Sequence, residues 1–145
     1  MKNSTIESKK TVSASSLSSL LVNKNTKGGR FTLKSVKTGT EFTYSVSRSE
    51  FGGNWYTHVK VENNYLEFKR VGTYFNGKIT NKRMLVDSPS AKAIAFVLAK
   101  VEASEFEYLD KVVETYHLGC CMRCGKTLTD SESINRGLGP TCAGK

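Results

Sequence analysis

The chain has 145 residues, 38% of them hydrophobic and 24% charged, with four cysteines and a formal net charge of +9. A chain of this length suits one domain, and it buries enough surface on folding to need no disulfide framework. The sequence has no apolar run of about 18 residues that would span a membrane as a helix, and no apolar core of a secretory signal. We therefore expect a soluble, intracellular protein with reduced thiols and no membrane partner.

The positive charge is concentrated near the N-terminus. Residues 1–30 carry a net charge of +5, whereas residues 87–117 carry −3. An excess of positive charge is typical of proteins that bind nucleic acids, but beyond residue 30 the charge density is that of an ordinary domain. The positive sign excludes one class of function, the mimicry of DNA by an acidic surface.

Residues 1–29 are predicted to form a basic, polar N-terminal arm. The segment is rich in Ser, Thr, Asn and Lys, so it buries too little apolar surface to offset the entropy of ordering it. Leu17, Leu20 and Leu21 have the spacing of one short amphipathic helix, which could bind a partner. We predict a mobile arm, with the partner-binding helix as the alternative.

Residues 30–116 are predicted to fold as an α+β unit that begins with a sheet. Five runs alternate apolar and polar residues with period two: 31–36, 41–47, 55–61, 66–69 and 73–80. No helical pattern separates these runs, and short turn segments connect them. The spacing predicts an antiparallel meander of about five strands.

Two helices are predicted to follow the sheet and to pack on it. Ser88 can cap a helix and Pro89 suits its first turn. The apolar stripe of this first helix comprises Ile94, Val97, Leu98 and Val101. A second helix is predicted over 105–116, with Leu109, Val112, Val113 and Tyr116 as its apolar face and an acidic face toward solvent.

Residues 117–145 carry all four cysteines and predict a zinc site. Cys121 and Cys124 have the C-x2-C spacing with which a turn grips one metal, and Cys142 lies further along the chain. A structural zinc ion needs four ligands, so one more is required. We favour His117, with Cys120 as its rival and water or another group as the remaining alternative. The prediction is one structural zinc ion per chain, held in a C-terminal zinc knuckle.

Catalytic interpretations fit the sequence less well. A redox disulfide between Cys121 and Cys124 needs a strand before the motif and a helix beginning at it, whereas a helix is predicted to precede it here. The sequence lacks the P-C-x2-C of nucleobase deaminases, the H-E-x2-H of metalloproteases and the phosphate-binding P-loop. His58, the other histidine, is expected on the surface of a strand. We expect no enzymatic activity and no small-molecule substrate.

The segment from Cys121 to Cys142 reads CMRCGKTLTDSESINRGLGPTC. It resembles a zinc-binding domain of unknown function that is common in bacteriophage and actinobacterial proteins, with the pattern C-x2-C-G-(K/R)-x-L-T-x3-S-I-x2-G-(I/L)-G-P-x-C and commonly a His shortly before the first Cys. The resemblance implies that Cys121, Cys124 and Cys142 are metal ligands and that His117 is the fourth. Cys120 is an addition to the family pattern.

The resemblance implies a small phage protein in the cytoplasm of a bacterial host. Such proteins frequently bind and block a host component, and some that contain zinc are similar to anti-CRISPR inhibitors of type II effector nucleases. We therefore predict a non-catalytic binding protein. The most specific hypothesis is that it binds a CRISPR effector nuclease and blocks its DNA targeting.

The alternative is a zinc-dependent nucleic-acid-binding accessory protein of a phage. Arg123, Lys126 and Arg136 lie near the predicted metal in sequence and are candidates for contact with phosphate or with a protein partner. The aromatic residues that could stack on bases are Trp55, Tyr56, Tyr65 and Tyr74.

Overall fold

The computed structural model describes residues 10–18, 28–62 and 67–117, and residues 121, 122, 128, 132, 134, 137 and 138 of the C-terminal segment. The strands are β1 (Lys10–Val12), β2 (Gly28–Ser35), β3 (Glu41–Phe51), β4 (Asn54–Glu62), β5 (Phe68–Phe75), β6 (Lys78–Asn81), β7 (Met84–Leu85) and β8 (Val113–His117). The helices are a short 3-10 helix at Ala14–Leu17 and two α-helices, α1 (Pro89–Glu102) and α2 (Phe106–Val112). The chain is thus an α+β protein, as predicted.

The strands form one antiparallel sheet in the order β1-β8-β2-β3-β4-β5-β6-β7. Strands β2 to β7 follow one another as the predicted meander. The sheet has eight strands in the described residues rather than about five. The predicted fifth strand at 73–80 is instead a hairpin, because Asn76 and Gly77 adopt positive φ and turn the chain between β5 and β6.

Helix α1 begins and packs as its sequence predicts. The Ser88 hydroxyl accepts a hydrogen bond from the Ala91 amide at 3.3 Å, and Pro89 occupies the first turn. The four residues of the apolar stripe are each at most 2% exposed. Apolar side chains from one face of the sheet and from the helices form the core.

Two tyrosines of the sheet hold the two ends of α1. Tyr44 on β3 donates its hydroxyl to the backbone oxygen of Ser90 at 2.7 Å, near the start of the helix. Tyr74 on β5 donates to Glu102 Oε1 at 2.7 Å, at its last residue. Each phenol is buried on its ring side and satisfied at its hydroxyl, so the pair fixes where α1 lies along the sheet.

The second helix is shorter than predicted, because the last residues of the predicted helix form a strand. Helix α2 ends at Val112, and residues 113–117 form β8, which pairs with β1 on one edge and with β2 on the other. Val112, Val113 and Thr115 are β-branched and fit a strand, although the spacing of the apolar residues also fits a helix. Pairing with β1 and β2 stabilises the strand conformation over the helix at these residues.

Residues 10–18 belong to the folded domain, so the prediction of a mobile arm does not hold for them. Val12 is 5% exposed, Ala14 1% and Leu17 0%. The Asp110 carboxylate of α2 accepts hydrogen bonds from the Ala14 amide at 2.8 Å and from the Ser13 hydroxyl at 3.0 Å. Asp110 itself is exposed, as its position on the predicted acidic face implies. Residues 1–9, Leu20 and Leu21 lie outside the described residues.

None of the helices in the described parts of the chain is long and apolar enough to cross a membrane.

A Leu17→Ala variant tests whether the N-terminal segment is part of the core. Because Leu17 is 0% exposed, the truncation is expected to lower the free energy of unfolding by about 2–5 kcal/mol. Leu85→Ala is the matched control, since Leu85 is 65% exposed, and its effect is expected to stay within about 0.5 kcal/mol. Urea denaturation followed by circular dichroism measures both. Equal, small effects would contradict the packing of residues 10–18.

The tyrosine contacts predict a loss of stability in alkali. Burial raises the pKa of Tyr44 and of Tyr74 above the ordinary 10.0, and for Tyr74 the hydrogen bond to Glu102 raises it further. The folded state therefore holds these protons more tightly than the unfolded state. Their stabilisation is complete below pH 10 and is lost as the pH rises toward the pKa values of the folded state.

Tyr74→Phe is expected to lower the free energy of unfolding at pH 7 by about 0.5–3 kcal/mol and to reduce its decline above pH 10. Tyr108→Phe is the control, because Tyr108 is 46% exposed. Urea denaturation at a series of pH values measures how the free energy of unfolding changes with pH. If the free energy of unfolding falls equally in the two variants above pH 10, the bond from Tyr74 to Glu102 does not cause the alkaline loss of stability.

Candidate functional site

Strand β8 carries His117 into the interior of the protein. Side chains alternate along the strand, and Thr115 and His117 both point to the face where the core lies, with 1% and 2% exposed. His117 pairs in register with Lys10 of β1. The histidine predicted as the fourth zinc ligand is therefore a buried side chain at the end of a strand that is paired on both edges.

A hydrogen bond fixes the tautomer of His117. Its Nε2 atom lies 2.6 Å from the backbone oxygen of Ile134. A carbonyl oxygen can only accept, so Nε2 carries the hydrogen and the lone pair of the neutral ring lies on Nδ1. Histidines that bind metals have this arrangement, in which one nitrogen donates to a carbonyl or carboxylate and the other binds the ion.

Cys121 lies four residues after His117 and is 3% exposed. Its neighbour Met122 donates its amide to the Gly137 oxygen at 2.8 Å and accepts from the Arg30 amide at 2.6 Å. These two bonds hold the start of the C-x2-C motif between β2 and the last part of the C-terminal segment. The thiol of Cys121 is thus held in the interior next to a residue whose amide and carbonyl are both bonded to other parts of the chain.

Gly137 allows the C-terminal segment to approach the histidine closely. Its φ is +76°, and a Cβ atom at this position would lie 2.8 Å from Met122 Cε, 3.1 Å from Val12 Cγ1 and 3.2 Å from His117 Cδ2. The backbone conformation favours glycine, and a Cβ atom here would also be in tight contact with these neighbours. Because Cδ2 and Nε2 are adjacent ring atoms, this edge of the imidazole faces Ile134 and Gly137.

Apolar residues of the C-terminal segment join the core. Met122 is 3% exposed, Leu128 8% and Leu138 1%, and Ile134 packs against them as a partly buried residue. These side chains extend the core of the domain into the C-terminal segment.

The structure describes two of the predicted metal ligands, His117 and Cys121. Cys124, Cys142 and the rival Cys120 lie outside the described residues. Within those residues, no three or more His, Cys, Asp or Glu side chains form a group that could hold a metal ion. The complete set of four ligands therefore stays a prediction.

The predicted contact residues Arg123, Lys126 and Arg136 also lie outside the described part of the chain.

A strand, and not a helix, precedes the C-x2-C motif. A strand, β8, leads toward Cys121, so the expectation that a helix precedes the motif was wrong. Such a motif also requires a helix that begins at the first cysteine. Met122 instead lies in a turn, and its carbonyl oxygen accepts from Arg30 of β2. The local structure at Cys121 and Met122 does not match the start of a helix.

His58 lies on the face of the sheet that is turned away from the helices. Its Nε2 is 2.8 Å from Ser49 Oγ and its Nδ1 is 3.2 Å from Thr73 Oγ1, across three neighbouring strands. Arg70 donates to the same Thr73 oxygen at 3.2 Å. This polar chain was not anticipated from the sequence, because its members come from β3, β4 and β5 and meet only through strand register.

The aromatic residues considered for base stacking have other contacts. Tyr74 is 3% exposed and bonded to Glu102. The Arg48 guanidinium lies 4.9 Å from the ring centroid of Trp55. Tyr56 packs against Phe75 with ring centroids 4.8 Å apart. Tyr65 lies outside the described residues.

Comparison with known proteins finds similarity at the C-terminal end. Residues 112–145 match the model of a family of unknown function, DUF6011. No curated protein matches the chain, and no solved structure matches it. The match begins at the last residue of α2 and includes β8, His117 and all four cysteines. The chain is thus similar to this family over the segment that holds the candidate metal ligands.

Proposed function

We propose that this chain is a non-catalytic binding protein whose C-terminal segment holds one structural zinc ion. His117, Cys121, Cys124 and Cys142 would be the ligands, with His117 binding through Nδ1. The zinc would supply a cross-link between β8 and the C-terminal segment. The spacing of the cysteines and the hydrogen bond from His117 Nε2 to the Ile134 oxygen support this assignment.

Burial of the candidate ligands supports a structural rather than a catalytic role, and this is the observation on which the proposal depends. A catalytic zinc ion keeps one position open to water or substrate. His117 and Cys121 are only 2% and 3% exposed, so the side of the site that they form is closed to solvent. A metal bound only in the folded state also contributes to folding.

Exposed apolar side chains support a protein partner. Four large hydrophobic residues of the strands are exposed: Phe51 is 78% exposed, Phe75 41%, Met84 71% and Leu85 65%. Exposed aromatic and Met side chains are enriched at protein interaction surfaces. We propose a CRISPR effector nuclease as the partner, on the resemblance of the cysteine segment to phage proteins, and loss of its DNA targeting as the result.

One observation favours the alternative, a nucleic-acid-binding accessory protein. Lys60 and Arg70 are directly paired on β4 and β5, and both are exposed. Like charges in this position destabilise a sheet, so an anion such as phosphate would relieve their repulsion.

Metal analysis tests the zinc proposal. Inductively coupled plasma mass spectrometry of the purified protein is expected to find close to one zinc ion per chain. Cys121→Ser and His117→Gln are each expected to lose most of the zinc, because three remaining ligands hold it weakly. Addition of EDTA is expected to lower the thermal midpoint of the wild type, since the metal stabilises only the folded state.

Cys120→Ser is the matched control, because it makes the same chemical change at the adjacent position. It is expected to keep its zinc and its thermal midpoint. If Cys120→Ser loses its zinc while His117→Gln retains it, the fourth ligand is Cys120 and not His117. A wild-type protein without zinc would overturn the proposal.

A capture experiment tests the partner. The full chain is immobilised and exposed to a nuclease-treated lysate from bacteria that express a type II effector nuclease. The effector is expected to be retained by the wild type and by a Lys60→Ala/Arg70→Ala variant, and to be lost from a Met84→Asp/Leu85→Asp variant. The physical reason is that charged residues in an apolar interface must be desolvated without partners.

In untreated lysate, recovery of nucleic acid without the effector, abolished by Lys60→Ala/Arg70→Ala, would contradict the inhibitor proposal and favour the alternative. Raising the salt concentration separates the two further, because binding to phosphate weakens steeply with ionic strength.

A further inference from the structure

A cavity of about 510 Å³ lies between the β2–β3 turn, the first half of α1 and the junction of α2 with β8. Its floor is formed by apolar side chains, among them Leu33, Phe42, Val97 and Val113. Leu33 is 4% exposed and Val97 2%, so the floor is continuous with the core. This volume falls within the ~300–1,000 Å³ of typical small-molecule sites.

An open apolar cavity of this size is costly for the folded protein alone. Protein interiors are close-packed and leave few voids larger than a water molecule. Apolar walls without partner atoms lose dispersion contacts, and water in such a space makes poor hydrogen bonds. A hydrocarbon chain would restore the missing contacts, which makes an apolar ligand the natural occupant.

The rim of the cavity carries positive charge. Lys37 in the β2–β3 turn and Lys92 on α1 line it from opposite sides, and both are exposed. Pro89 places the N-terminal end of α1, with its positive end of the helix dipole, at the same opening. Among the described residues that line the cavity there is no Asp or Glu to neutralise this charge.

We propose that this cavity binds a single-chain fatty acid anion. The apolar floor would take the hydrocarbon tail, and Lys37 and Lys92 would pair with the carboxylate at the opening. Because this binding depends on the cavity, its lining and its charge, it is independent of the zinc ion and of the protein partner proposed above. The anion is a bound ligand and undergoes no reaction.

Calorimetric titration of the full chain with sodium decanoate, below its micelle concentration, tests the proposal. Saturable binding at one site per chain is expected. The uncharged alcohol 1-decanol has the same tail and is expected to bind at least about tenfold more weakly, because it forms no ion pair with the lysines. This comparison uses only the wild type, so it does not depend on the folding of any variant.

Two charge-reversal variants locate the site. Lys37→Glu/Lys92→Glu is expected to weaken decanoate binding at least about tenfold. Lys69→Glu/Lys78→Glu makes the same change in net charge at exposed positions of β5 and β6 that do not line the cavity. It is expected to leave the affinity within about twofold. Circular dichroism confirms that each variant is folded.

Ala93→Phe tests the apolar part of the cavity, because Ala93 lines it on α1. The larger side chain is expected to fill the space and abolish binding, with the thermal midpoint retained. The proposal is overturned if decanoate shows no saturable binding, if 1-decanol binds equally well, or if the two charge-reversal variants lose affinity equally.

Discussion

The pairing of β8 on both of its edges is the constraint on which the rest of this structure depends. The strand lies between β1 and β2, so it joins the N-terminal segment to the meander. It also places Val113 at the apolar cavity and His117 at the candidate metal site, on the same face of one strand. A shift of β8 along the sheet would therefore change the cavity and the metal ligand together.

The sequence predicts the elements whose signals are local. Helix α1 follows from a cap, a proline and an apolar stripe that lie within 14 residues of one another. Strand β8 could not be predicted in this way, because the spacing of Val112, Val113 and Tyr116 fits a helix and only pairing with β1 and β2 selects the strand. The burial of Leu17 is equally non-local, since the Asp110 contacts that anchor its segment span 97 and 96 residues of sequence.

The candidate site also combines features that have local sequence signals with features that depend on non-local contacts. Residue types and spacing nominate His117 and Cys121 as metal ligands, which stays a prediction, and the structure describes both side chains as buried. The hydrogen bond to the Ile134 oxygen and the close approach of Gly137 depend on how the C-terminal segment folds back on β8. The apolar cavity left no motif in the sequence, because its lining comes from a turn, two helices and three strands.

The position of β8 also has a consequence for synthesis of the chain on the ribosome. Strand β1 ends at Val12, but its only neighbour in the described sheet is completed at His117. At about 5–20 residues per second, β1 waits roughly 5–20 s for its partner to be made. During that interval Val12, Ala14 and Leu17 have no β8 or α2 to cover them. In a nascent chain of this protein these three apolar side chains are thus available to chaperones until β8 is added.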